Sequence, residues 1–67
     1  MNDNGAYEER RKVAEAVRAA CLQAALSGYE DASMNGLCHE GAWEVAVDAI
    51  RSLNVEAIVR RLEKDRS

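Results

Sequence analysis

From Ala6 to Ser33 the chain has no proline and one glycine, Gly28, and between Ala19 and Leu26 only Gln23 is polar. Ala, Glu, Arg and Leu dominate this stretch, and all four favour the helix. The sequence therefore predicts one long helix over 6–33. A helix that is apolar nearly all round is buried nearly all round. At 1.5 Å per residue it is ~40 Å long, more than two short helices cover easily. A second copy of the chain is the simplest cover. Ala14, Cys21 and Gly28 recur every seven residues, with Val17 and Ala24 between them. Small residues at such positions let helix backbones approach closely. The expected interface comprises Ala14, Val17, Cys21, Ala24 and Gly28, with Leu22, Leu26 and Trp43.

The rest of the chain reads as two shorter helices. Asn4 is a candidate cap for the first helix, after a flexible N-terminus over 1–5. Asn35-Gly36 is a stop signal, since both residues tolerate φ > 0. Leu37 reads as a buried anchor in the loop that follows. A second helix is expected over 39–53, and a third over 55–64 with Asn54 as its cap. Arg60, Arg61, Lys64 and Arg66 gather at the end of the third, where cations suit the dipole. The fold class is all-α: a single helical domain over 1–67, completed by oligomerisation.

On the second helix Glu40, Glu44, Asp48 and Arg51 share one face. Ala42, Trp43, Ala46, Ala49, Ile50 and Leu53 share the other, and Val45 and Val47 widen it. An apolar face that wide implies two neighbours rather than one.

Size supports the same conclusion. A 67-residue chain buries only ~60% of its unfolded surface when it folds as a monomer. Phe is absent, there is one Trp, and alanines fill many apolar positions, each burying little area. The net charge of −3 argues against nucleic acid and anionic membranes as whole-surface partners. No apolar run approaches the ~20 residues that span a bilayer. Two cysteines do not make a disulfide framework. Met1 to Tyr7 holds no apolar run of the signal-peptide kind, so a reducing, cytoplasmic setting is expected.

Three groups of residues carry candidate chemistry. Cys38 and His39, with Cys21 and Glu40, have metal-ligand character, but Cys38 and His39 are adjacent, whereas structural sites space their ligands more widely. Cys38 also precedes a helix, where a thiol gains reactivity, with His39 as a potential base. Burial of Cys21 in the seam and a cap role for Cys38 are the favoured readings. Glu40, Glu44 and Asp48 read as a solvated face with an Asp48–Arg51 pair, since the Glu-x-x-His pattern of carboxylate metal sites is absent. The clusters Arg10-Arg11-Lys12 and Arg60-Arg61 lack a recognition motif or interleaved aromatics, which makes nucleic acid the third choice.

The segment Gly36-Leu37-Cys38-His39-Glu40-Gly41-Ala42-Trp43-Glu44, followed by Asp48-Ala49-Ile50-Arg51-Ser52-Leu53, resembles a group of short bacterial all-helical proteins. Val13-Ala14-Glu15-Ala16-Val17-Arg18 and Tyr29-Glu30-Asp31-Ala32 extend the resemblance over most of the chain. It implies a natural helical domain and brings no catalytic motif. Some members are called acetyltransferases. This chain has neither the strand–helix scaffold nor the phosphate-cradling glycine-rich loop that coenzyme A binding needs.

The expected function is a non-catalytic helical module that self-associates, as a dimer in the first instance, or binds another protein, with no cofactor. A thiol-reactive, metal- or small-ligand-binding protein centred on Cys38 and His39 is the alternative. A nucleic-acid-binding accessory acting through the arginine clusters comes third.

Overall fold

The computed structural model describes residues 3–66. It is all-α: α1 spans Asp3–Met34, α2 His39–Arg51 and α3 Val55–Arg66. The long first helix continues through Gly28, since one glycine costs a helix only ~1 kcal/mol and its neighbours are good helix formers. It starts earlier than the sequence predicts. Residues 3–5 already belong to it, so Asn4 lies inside the helix rather than capping it. Met1 and Asn2, the rest of the expected flexible N-terminus, lie outside the described residues.

The end of α1 is set by local chemistry. Gly36 has φ +91°, the left-handed region that favours glycine. The Gly36 N–H donates to the Ser33 carbonyl at 3.1 Å and the Leu37 N–H to the Ala32 carbonyl at 3.0 Å, satisfying carbonyls that the helix end leaves open. The Asn35 side chain donates to the Asp31 carbonyl at 2.8 Å. Cys38 then takes the N-cap position of α2 with an extended backbone and no capping bond from its side chain. The α2 helix ends at Arg51, two residues before the expected end, with Ser52 as its cap, whose N–H donates to the Asp48 carbonyl at 2.9 Å. Asn54 caps α3 as its sequence position suggests: its Oδ1 accepts from the Ala57 N–H at 3.0 Å.

Contacts divide the chain into two compact units. One joins the part of α1 up to Ala19 with the chain from Asn54 onward. There Val13, Ala16 and Val17 on α1 and Ile58, Val59 and Leu62 on α3 are half-buried.

The other unit covers Ala20–Leu53, a hairpin of the later part of α1 with α2. Its interior is made of alanines: Ala32, Ala42 and Ala46 are the buried hydrophobic residues among those described. The two helices approach closely at Gly28. A Cβ there would lie 3.3 Å from the Ala49 Cβ and 3.4 Å from the Val45 carbonyl oxygen. Small residues on both helices permit this, and they leave no room for a large side chain between them.

This packing departs from expectation at Gly28 and Leu37. Gly28, assigned to a seam with a second copy, lies against the chain's own α2. Within one chain α2 leaves part of the middle of α1 uncovered: Leu22 and Leu26 are each 60% exposed, because α2 covers the Gly28 side and these leucines point elsewhere on the turn. Leu37 is 43% exposed rather than a buried anchor. Its side chain reaches Gly41, at whose position a Cβ would lie 3.4 Å from Leu37 Cδ2, and so covers the first turn of α2 from outside.

Candidate functional site

Helix α2 carries the surface with the most distinctive chemistry. Its inward side is fixed by Ala42 and Ala46, both buried. At 3.6 residues per turn, this directs Trp43, Val47 and Ile50 onto one flank and Glu40, Glu44 and Asp48 further out. Trp43 is 61% exposed and Ile50 40%, while Val47 is half-buried. Two open grooves run along this flank. One is lined by His39, Glu40, Trp43 and Glu44, the other by Trp43, Glu44, Val47, Asp48 and Arg51. Trp43 is the wall they share.

The pair Tyr29–His39 anchors the same edge of the hairpin. Tyr29 Oη lies 2.6 Å from His39 Nδ1, and the two rings meet edge to face with centroids 5.8 Å apart. The contact joins α1 to the first residue of α2 and fixes one end of the first groove. Sequence reasoning missed it, because ten residues and a turn separate the partners and neither carries a pattern that points at the other.

The sequence-derived candidates are placed as follows. Cys38 is exposed at the α2 N-cap, and His39 beside it is engaged through Nδ1 with Tyr29, which leaves Nε2 as its remaining ring nitrogen. Cys21 is half-buried on α1 and not joined to Cys38 by a disulfide. Among the described residues no group of three or more His, Cys, Asp or Glu side chains is close enough to hold a metal ion. Of the seam residues, Val17, Cys21, Ala24 and Gly28 are half-buried and Ala14 is exposed.

Three ion pairs each lie within a single helix. Arg51 donates to Asp48 at 3.3 Å, as the spacing suggests. Arg60 meets Glu56 at 2.9 Å and Arg18 meets Glu15 at 3.3 Å. Arg60, Arg61 and Lys64 line a depression with Ala57 on α3. For Arg66, counted with this basic end by sequence, the side chain lies outside the described part. Among the described residues no helix is long and apolar enough to cross a membrane.

No protein-family model matches the chain, and neither a curated protein nor a solved structure matches it.

Proposed function

We propose that the chain is a helical self-association module, working as a homodimer through apolar side chains that its own fold leaves uncovered. The observation that carries this reading is an inversion of size. In the hairpin of α1 and α2 the buried residues are alanines, while Leu22, Leu26, Trp43 and Ile50 stand on the outside. Burial stabilises in proportion to area, so the larger side chains contribute little unless something covers them.

Of the interface residues expected from sequence, Leu22, Leu26 and Trp43 are the large exposed ones that fit this role. Small chains commonly gain their missing stability from a partner. Sedimentation equilibrium of the purified chain at micromolar concentration tests the reading. The expected mass is twice that of one chain; a monomer under those conditions overturns it.

A further inference from the structure

The groove of His39, Glu40, Trp43 and Glu44 combines an indole face with two carboxylates. This is the chemistry that receives a guanidinium or ammonium group, through ring and charge together. The chain carries a complement on the same helix. Read along its outer row, α2 is acidic at Glu40, Glu44 and Asp48 and basic at Arg51. Trp43 and Arg51 lie four residues to either side of Val47. A two-fold axis through Val47, perpendicular to α2, therefore carries Arg51 of one copy onto the Trp43 groove of the other, twice over. An isologous interface demands this self-complementarity. Two α2 helices laid in parallel would set acid against acid instead.

We propose that two copies pair through antiparallel α2 helices centred on Val47, with Arg51 of each seated between Glu40, Trp43 and Glu44 of the other. The proposal rests on the self-association reading and gives its α2 side chains a place and a register; Leu22 and Leu26, turned away from the Gly28 face of α1 that meets α2, lie outside this contact. Val47 and Trp43 then lie at the centre, where desolvated aromatic anchors carry the most binding energy. Arg51 gives up little on moving, since its bond to Asp48 joins side chains 75% and 73% exposed. Exposed pairs of that kind contribute little stability.

The test is charge reversal on the full chain, read by sedimentation equilibrium. Glu44→Arg and Arg51→Glu each place like charges together, and each is expected to weaken dimerisation about tenfold or more. The double variant brings the exchanged charges back together but leaves Glu40 and the Trp43 ring beside the new carboxylate, so it is expected to recover part of the loss and to dimerise more tightly than either single variant. Where circular dichroism shows lost helix in a reversal variant, Glu44→Gln and Arg51→Gln at rising salt carry the same comparison. They should weaken the dimer and flatten its salt dependence. A wild-type dimer that is indifferent to both single changes overturns the α2 register and leaves self-association standing. So does a helical double variant that stays as weak as the singles. A monomeric wild type overturns both readings.

Discussion

At Gly28 the two helices α1 and α2 meet so closely that even one added methyl group would be tight. A Cβ would press on the Ala49 Cβ at 3.3 Å and the Val45 oxygen at 3.4 Å. A leucine there has no space at all, so Gly28→Leu should destabilise the hairpin by about 1–3 kcal/mol, seen as a lower urea midpoint by circular dichroism. Gly5 is the control. Nothing lies within 4 Å of a Cβ at that position, so Gly5→Ala should add up to about 1 kcal/mol of helix stability. Opposite signs from two glycines on one helix separate packing from backbone effects. The sequence shows Gly28 as a small residue in a seven-residue seam, which is its correct face. A repeat on one helix does not name the helix that covers it; at Gly28 that helix is α2.

The elements owe their ends to caps that act within a few residues, and those ends were the most legible part of the chain. Asn35-Gly36 and Asn54 lie where the sequence places them, because a left-handed glycine and an Asn side chain bond to nearby backbone whatever the tertiary context. Asn54→Ala removes the acceptor for the Ala57 N–H and should cost about 1 kcal/mol, appearing as lost ellipticity and a lower thermal midpoint. Gly36→Ala imposes a Cβ on a left-handed residue and should cost about 1–2 kcal/mol. The N-terminus of α1 was less legible, because Asn4 suits both a cap and a first turn. The candidate site was half legible. The charged row and Trp43 follow from helical period, but the grooves beside Trp43 depend on which flank α1 covers, and that is a tertiary fact.

The molecule as a whole is defined by what its interior lacks. The all-α order of one long and two shorter helices follows from breakers and periodicity. The burial of particular residues does not, since nothing local tells Leu22 that alanines will take the inner positions. If dimerisation supplies the missing cover, the thermal midpoint should rise with protein concentration, by the mass-action dependence of any linked association. Scanning calorimetry over a hundredfold range of concentration checks this; an unchanged midpoint counts against an obligate dimer. An interior of Ala32, Ala42 and Ala46 also has a calorimetric consequence. A monomer with such an interior newly wets little hydrocarbon on unfolding, so its heat-capacity increment should fall below the usual ~12–15 cal/mol/K per residue, while side chains covered in a dimer raise it. A small increment flattens the dependence of stability on temperature. A monomer should therefore lose little stability in the cold, and an increment that grows with protein concentration would report apolar surface buried between copies.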